Sequence, residues 1–175
     1  MYLISAYFDT NTDKNMQSLI DEIARVTGNT FMTDGKIPPH ITLLAFEAKD
    51  ETKVVEMFKE NVSKLEIGAL FFAAIGALKG QVIYVEPVLN EYLCNLSDFF
   101  YEIYKDTPDI KFSPYYKPYS WMPHLSVGKH LDEEQMRHAF DVMLKRFAPF
   151  TGNITRIGIA KTNPHRDIVI GSLFK

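Results

Sequence analysis

The chain has too few cysteines to build a disulfide framework or a thiolate metal site. Cys94 is the only cysteine among 175 residues, so an intramolecular disulfide and a metal site made of several thiolates are both excluded. Cys94 lies beside Leu93 and Leu96 in a segment with helical spacing. Its expected role is packing, because a free cysteine behaves as a small buried apolar residue.

A surplus of positive charge is also missing, since the formal net charge is −3 at pH 7. Proteins that bind long nucleic acids do so mainly through many phosphate contacts made by lysine and arginine. The charge therefore argues against a DNA duplex as partner. It fits a small phosphate ligand or a single RNA end.

No long hydrophobic run opens the chain. The segment Met1–Phe8 is apolar, but it is too short for a membrane span and carries no basic leader. We expect this segment to form the first strand, and we expect the protein to act in the cytoplasm without a membrane. No feature of the sequence indicates an obligate protein partner.

Several common catalytic motifs are absent as well. Gly128-Lys129 resembles the end of a phosphate-binding loop, but Pro123 stands where the earlier glycine is required and no Ser or Thr follows the lysine. Neither a His-Glu-x-x-His segment nor a Gly-x-Ser-x-Gly elbow occurs. The spacing of the five histidines supports no zinc site, so no metal or other cofactor is expected.

Two short segments share a pattern of proline, histidine, aliphatic residue, hydroxyl residue and aliphatic residue. The first is Pro39-His40-Ile41-Thr42-Leu43, and the second is Pro123-His124-Leu125-Ser126-Val127, 84 positions later (124 − 40). In an extended strand, side chains two positions apart point to the same face. Each strand is therefore predicted to present an imidazole beside a hydroxyl.

The surroundings of the two motifs are repeated too. Each half of the chain, about 1–87 and 88–175, is predicted to run helix, histidine strand, helix and hairpin, and Gly68 aligns with Gly152 at the hairpin starts. A long-period repeat indicates one supersecondary unit used twice. We therefore expect a single α+β domain of two pseudo-symmetric lobes, each with an antiparallel sheet and outer helices, around a central cleft.

Capping and turn residues predict where these elements begin and end. The predicted helix boundaries are Thr10 or Thr12 and Gly28 for the first helix, Asp50 for the second, and Asp132 with Gln135 for the last. The predicted loops are Asn29–Ile37 and the aromatic segment Thr107–Trp121, and the predicted hairpin turns are Lys79-Gly80 and Asn163-Pro164.

Two histidines that face one cleft suit attack at phosphorus. With an ordinary pKa near ~6.5, one imidazole can accept a proton from the nucleophile while the other donates a proton to the leaving oxygen. Thr42 and Ser126 are expected to donate hydrogen bonds to the phosphoryl oxygens. The sequence does not determine which histidine is the acid and which is the base.

The paired motifs His40-Ile41-Thr42 and His124-Leu125-Ser126 resemble those of the two-histidine phosphoesterase superfamily, and especially its RNA 2′,3′-cyclic phosphodiesterase or RNA ligase-like branch. The resemblance implies metal-independent hydrolysis of a nucleoside or RNA-terminal 2′,3′-cyclic phosphate, or of a 2′-linked phosphodiester. It also implies HxTx motifs that supply catalytic His40 and His124 and phosphate-binding Thr42 and Ser126. The partner would be a nucleotide or an RNA 3′-end that carries a cyclic phosphate. The alternative is a nucleotide or RNA-end binding module that uses the same cleft without turnover.

Four aromatic residues are further candidates for substrate binding. Tyr116, Tyr119 and Trp121 lie in the loop that leads to the second motif, and they are expected to stack on a base. Packing of this loop over the core is the alternative. Phe46 shares strand parity with His40 and is a candidate for the cleft floor, with a core position as the alternative.

Two basic positions outside the motifs are further candidates for a phosphate contact. Lys129 has the opposite strand parity from His124, so a phosphate contact there requires a bulge or the end of a strand. His165, together with Arg166, lies in a predicted hairpin turn, where a phosphate contact is the alternative to a surface position.

Overall fold

The computed structural model describes residues 1–79, 81–162 and 164–174, and within them it contains five α-helices and eight β-strands. The helices are α1 (Thr10–Thr27), α2 (Phe31–Asp34), α3 (Glu51–Val62), α4 (Glu91–Tyr104) and α5 (Glu133–Arg146). The strands are β1 (Tyr2–Phe8), β2 (Ile41–Glu47), β3 (Gly68–Leu78), β4 (Val82–Pro87), β5 (Lys111–Phe112), β6 (Leu125–Gly128), β7 (Phe150–Lys161) and β8 (Arg166–Ser172). The predicted α+β class is confirmed. No helix in these ranges is long and apolar enough to cross a membrane.

The eight strands form one connected sheet in the order β5-β2-β1-β7-β3-β4-β6, with β8 paired to β7. Strand β7 connects the two parts of the sheet, because its first half pairs with β3 and its second half pairs with β1 and β8. The predicted halves 1–87 and 88–175 do not form separate sheets, since β2 pairs with β5 and β4 pairs with β6. Strands β2 and β6 contact each other although four strands lie between them in the sheet order. The sheet therefore curls and brings its two histidine strands together.

The start of α1 differs from the prediction because Asp9 is its cap. The Asp9 carboxylate accepts hydrogen bonds from the backbone nitrogens of Asn11 and Thr12, each at 3.0 Å, and from the Thr12 hydroxyl. Thr10 and Thr12 thus lie inside the helix. A carboxylate suits this position because it also interacts with the positive end of the helix dipole. Gly28 ends the helix in the left-handed conformation at φ 69°, as predicted.

The other two predicted caps are confirmed. Asp50 accepts a hydrogen bond from the backbone nitrogen of Lys53 at 3.0 Å. Asp132 and Gln135 form the reciprocal bonds of a capping box at the start of α5.

Both predicted loops contain short elements of regular secondary structure. Helix α2 lies within Asn29–Ile37, while β5 and a 3-10 helix at Pro114–Tyr116 lie within Thr107–Trp121. Elements of two to four residues are too short to show a hydrophobic period, so the sequence pattern did not reveal them. Gly80 and Asn163, which belong to the two predicted hairpin turns, lie outside the described residues.

A β-bulge interrupts each histidine strand at the matching place. The pairing of β2 with β1 skips Leu43, and the pairing of β6 with β4 skips Val127. These two residues are 84 positions apart (127 − 43), which is also the offset between the two histidines. The matched bulges support the proposal that one structural unit is used twice.

Candidate active site

His40 and His124 are held in the same way just before the two bulged strands. Nδ1 of His40 lies 2.8 Å from the carbonyl oxygen of Pro38, and Nδ1 of His124 lies 2.9 Å from that of Met122. A carbonyl oxygen only accepts hydrogen bonds, so Nδ1 carries the hydrogen in both rings. Nε2 of each ring is therefore the nitrogen left to exchange a proton with a ligand.

The hydroxyl residues follow their histidines along the same strands. Thr42 pairs with Ser5 of β1, and Ser126 pairs with Tyr84 of β4. Each bulge comes after the hydroxyl residue, so nothing interrupts the two-residue spacing from histidine to hydroxyl. The bulges therefore leave intact the spacing on which the predicted shared face of each pair depends.

Contacts between β2 and the segment before β6 bring the two motifs together. The indole nitrogen of Trp121 donates a hydrogen bond to the carbonyl oxygen of Thr42 at 2.8 Å. Burial is the main cause of the lowered pKa of His40, and Lys129 and a protonated His124 lower it further, so both groups lie within electrostatic reach of its ring. The name two-histidine site is used below for His40, Thr42, His124, Ser126 and Lys129.

Burial lowers the pKa of both imidazoles. The pKa of His40 falls to about 4, mainly through desolvation, which the hydrogen bond to Pro38 opposes. Lys129 lowers it further, as do His165 and His124 when they are protonated. The pKa of His124 is lowered first by burial and then by Lys129, while Glu86 opposes the shift. Both rings are therefore neutral in the unliganded protein near neutral pH.

The lowered pKa of His40 predicts a loss of stability as the pH falls from about 6.5 to about 4. In this window the unfolded chain binds a proton at His40 that the folded site does not bind. The free energy of unfolding is therefore highest above the window and decreases through it. The expected loss from His40 is on the order of 3 kcal/mol, and it stops growing below the folded-state pKa.

Urea denaturation near neutral pH and near the lower end of this window measures the effect. His40→Asn keeps a side-chain amide where Nδ1 donates to the backbone, but it cannot be protonated, so its stability should fall less than that of the wild type. His138→Asn at an exposed position of α5 is the matched control. Equal losses in the wild type and His40→Asn would contradict a neutral buried imidazole at position 40.

A phosphate contact by Lys129 requires a bulge or the end of a strand, and both are present. Strand β6 ends at Gly128 and its pairing skips Val127, so Lys129 follows both a bulge and the strand end. Its charge acts on both His40 and His124, and burial lowers the pKa of its own ammonium group. Lys129 thus adds a half-buried positive charge to the site.

The three aromatic residues of the loop before β6 lie in different environments. Trp121 is half-buried and uses its indole nitrogen to hold the backbone of Thr42. Burial raises the pKa of the Tyr116 phenol, and a hydrogen bond with the Thr42 side chain opposes that shift. Tyr119 is fully exposed and has a left-handed backbone at φ 66°. Two of the three thus lie beside Thr42, and stacking of any of them on a base stays a prediction.

Phe46 does not line the site, which corrects the parity argument. Its side chain is 0% exposed, and its ring packs against Tyr2 at 5.8 Å and Tyr104 at 5.1 Å between ring centroids. The bulge at Leu43 inserts one residue between Thr42 and Phe46, which turns Phe46 to the other face of the sheet. Phe46 is therefore a core residue.

Two tyrosines next to the histidines were missed at the level of sequence. The Tyr7 ring lies 6.4 Å from the His40 ring, and the Tyr84 ring lies 5.4 Å from the His124 ring. They belong to β1 and β4, the strands that pair with β2 and β6. Only knowledge of this pairing could have identified them, because neither tyrosine lies in a motif.

His165 and Asp167 also lie near His40. The His165 ring is 6.1 Å from the His40 ring, and its Nε2 atom is 3.3 Å from Oδ1 of Asp167. The sequence placed His165 in a hairpin turn but did not indicate what that turn would approach. Across the described part of the chain, no group of three or more His, Cys, Asp or Glu side chains is arranged to hold a metal ion.

Comparison with known families agrees with this arrangement. Residues 13–166 match the family model described as the 2'-5' RNA ligase superfamily. The chain belongs to the 2'-5' RNA ligase superfamily. This result confirms the recognition of a two-histidine phosphoesterase from the sequence motifs. A sequence search of curated proteins found no match.

Several solved structures have the same fold as this protein, although their sequences are only distantly similar. E. coli LigT complexed with 3'-AMP is 10% identical with a TM-score of 0.62, over 99% of this chain and 98% of that chain. The protein TT0787 of Thermus thermophilus is 10% identical with a TM-score of 0.61, over 98% of this chain and 97% of that chain. At these identities the likeness shows the fold alone. Membership of the superfamily supports a phosphoesterase or ligase-like enzyme.

Proposed function

We propose that this protein is a metal-independent phosphoesterase that hydrolyses nucleoside or RNA-terminal 2′,3′-cyclic phosphates, or a 2′-linked phosphodiester. The observation that carries the proposal is the matched pair of imidazoles, His40 and His124, each with Nδ1 bonded to a backbone carbonyl. Two such rings supply one proton acceptor and one proton donor, which general acid–base attack at phosphorus requires. LigT has been solved with 3'-AMP, NADP+ and ATP, which favours a nucleotide as substrate of a protein with this fold.

In the proposed reaction, a neutral imidazole takes a proton from water at Nε2 while the water oxygen attacks phosphorus. The other imidazole, protonated at Nε2, gives its proton to the ribose oxygen as the bond from phosphorus to that oxygen breaks. One water molecule is consumed, and the product is a ribose phosphomonoester with a restored hydroxyl group. Proton exchange with solvent then returns both rings to their starting state.

The negative charge of the bound substrate favours the protonated form of the ring that acts as the acid. Both rings are neutral in the unliganded protein near neutral pH, as their lowered pKa values require. An anionic phosphate close to an imidazole favours its charged form and raises its pKa. Binding of the cyclic phosphate thus prepares one ring as the acid, and the orientation of the substrate decides which ring that is.

The other members of the two-histidine site stabilise developing charge. The hydroxyls of Thr42 and Ser126 donate hydrogen bonds to the non-bridging oxygens as phosphorus becomes five-coordinate. The ammonium group of Lys129 adds a positive charge that acts at both histidines. These three groups bind the transition state more strongly than the substrate, because the negative charge on the oxygens grows along the reaction.

Assays with a panel of nucleoside 2′,3′-cyclic monophosphates test the proposal. We expect conversion to 2′- or 3′-monophosphates, separated by chromatography, at equal rates with and without EDTA. Loss of activity in EDTA would contradict metal independence. A bound cyclic nucleotide that is recovered intact would favour the alternative, a nucleotide or RNA-end binding module. Ligase-like activity would instead appear as joined RNA ends on a denaturing gel.

A further inference from the structure

A third histidine, which is largely buried, lies next to His40. The planes of the His165 and His40 rings are 28° apart, with 6.1 Å between their centroids. Only 10% of the His165 side chain is exposed, and its Nε2 atom is 3.3 Å from Oδ1 of Asp167. The same Asp167 oxygen accepts a hydrogen bond from the Tyr7 hydroxyl at 2.8 Å. The Nε2 atom of His165 is buried and has no hydrogen-bond partner among the described residues.

Two strands contribute to this support. Asp167 belongs to β8 and Tyr7 belongs to β1, the strand that pairs with the first histidine strand. The pKa of Asp167 is lowered, first by its interaction with His165 and also by the hydrogen bond from Tyr7, so the carboxylate is ionised. Nε2 of His165 is buried beside this carboxylate, so Nδ1 is the nitrogen with which His165 can contact a ligand.

The reacting phosphate does not need this third imidazole. In the two-histidine site, two hydroxyls and one ammonium group serve the non-bridging oxygens, and two Nε2 atoms serve the attacking and leaving oxygens. In the proposed reaction, only the ester oxygen that keeps its bond to phosphorus has no partner among these groups, and that oxygen carries no negative charge. His165 is left to contact a neighbouring group of the substrate.

The charges around His165 favour an anion as that group. Arg166 follows it directly, with a side chain that is 60% exposed and a nitrogen 3.9 Å from the Glu51 carboxylate. Glu51 makes its closer contact, at 2.6 Å, with Lys161. The exposed ion pair of Arg166 with Glu51 contributes little free energy. Arg166 can therefore bind another anion with little loss of stability. The nearby carboxylate of Asp167 accepts a hydrogen bond from Tyr7 and lies 3.3 Å from Nε2 of His165.

Building on the proposed function, we propose that His165 and Arg166 form a second phosphate subsite on the His40 side of the two-histidine site. The substrate then carries a second phosphate next to the cyclic one. This group is either the phosphodiester of the preceding nucleotide in an RNA 3′-end or a 5′-phosphate on a single nucleotide. Both sources present anionic oxygens to an imidazole and a guanidinium.

Three substrates separate these cases: a nucleoside 2′,3′-cyclic phosphate, the same compound with a 5′-phosphate, and a dinucleotide that ends in a 2′,3′-cyclic phosphate. Wild-type kcat/KM is expected to be about tenfold higher for one of the two-phosphate substrates, as a charge-assisted hydrogen bond predicts. His165→Gln and Arg166→Gln should each lower kcat/KM about tenfold more for that substrate than for the single-phosphate one. His138→Gln at the exposed surface of α5 is the matched control and should change none of the rates.

Equal losses on all three substrates would overturn the subsite, because His165 would then act on the reacting phosphate or on the fold. The absence of any loss would overturn it as well. A preference for the dinucleotide identifies an RNA end, and a preference for the 5′-phosphate identifies a mononucleotide.

Failure of the proposed function would be recognised separately, as no turnover of any of these substrates by the wild type. The subsite is then tested by calorimetry with a nucleoside 3′,5′-bisphosphate and a nucleoside 3′-phosphate. Tighter binding of the bisphosphate that is lost in His165→Gln supports the subsite. Equal affinities of the wild type for the two ligands would overturn it.

Discussion

Replacement of His124 or His40 by alanine is expected to lower kcat for a 2′,3′-cyclic nucleotide by ~10²–10⁴-fold. Each variant loses one of the two groups that move a proton in the transition state. The wild-type profile of kcat/KM against pH should be bell-shaped, since one ring has to be neutral and the other protonated. Each variant should lose one limb of that profile, which a loss of stability alone would not cause.

The control for this prediction is His138→Ala, which removes an exposed imidazole from α5. It should retain wild-type turnover and both limbs of the pH profile. Urea denaturation of every variant shows whether its fold is intact at the assay temperature. Wild-type turnover by either His40→Ala or His124→Ala would remove the basis of the two-histidine mechanism.

Replacement of Lys129 by methionine is expected to lower kcat by ~10²–10³-fold, the effect of losing one preorganised group that stabilises transition-state charge. The variant keeps most of the side-chain volume but removes a positive charge that acts on both His40 and His124. The pKa values of both imidazoles should therefore rise, and the acid limb of kcat/KM should move to higher pH. A pH titration followed by NMR of the histidine ring protons measures the shift directly.

Two further variants make the Lys129 result specific. Lys129→Arg keeps the positive charge and should retain much more activity than the methionine variant. Lys145→Met removes an exposed lysine from the last turn of α5 and should leave both kcat and the pH profile unchanged. An unchanged acid limb in Lys129→Met would show that this ammonium does not act on the histidines.

The repeat in the sequence predicts where several helices and strands lie, but it does not predict which strands pair. Shifted by 84 positions, α3 (51–62) covers 135–146 and β3 (68–78) covers 152–162, close to α5 and β7. The same shift places β4 on β8. In the sheet, however, β4 lies next to β6, whereas β2 lies next to β1 and not next to β8. Local patterns predict which segments become strands, but neighbours in a sheet depend on contacts between residues far apart in the chain.

The two bulges, and the side-chain directions that depend on them, could not be predicted from the sequence either. Strict alternation placed Phe46 on the face of His40 and Lys129 on the face opposite His124. One extra residue in each strand reverses both results, so Phe46 packs into the core and the Lys129 charge reaches the site. A bulge has no fixed residue signature in such an apolar run, because it forms when paired strands adjust their register to each other.

The sequence by itself determined the two His-hydroxyl pairs, the α+β class and the superfamily. These follow from short-range features: a two-residue strand period, helix caps and a repeated order of elements. Only the tertiary structure decided what surrounds the two imidazoles. Tyr7, Tyr84, Lys129 and His165 reach them through strand pairing, bulges and a hairpin, and the same burial lowers the pKa of both rings. Burial and charge at a site depend on everything packed around it, so the curled sheet had to be known before the chemistry of His40 and His124 could be derived.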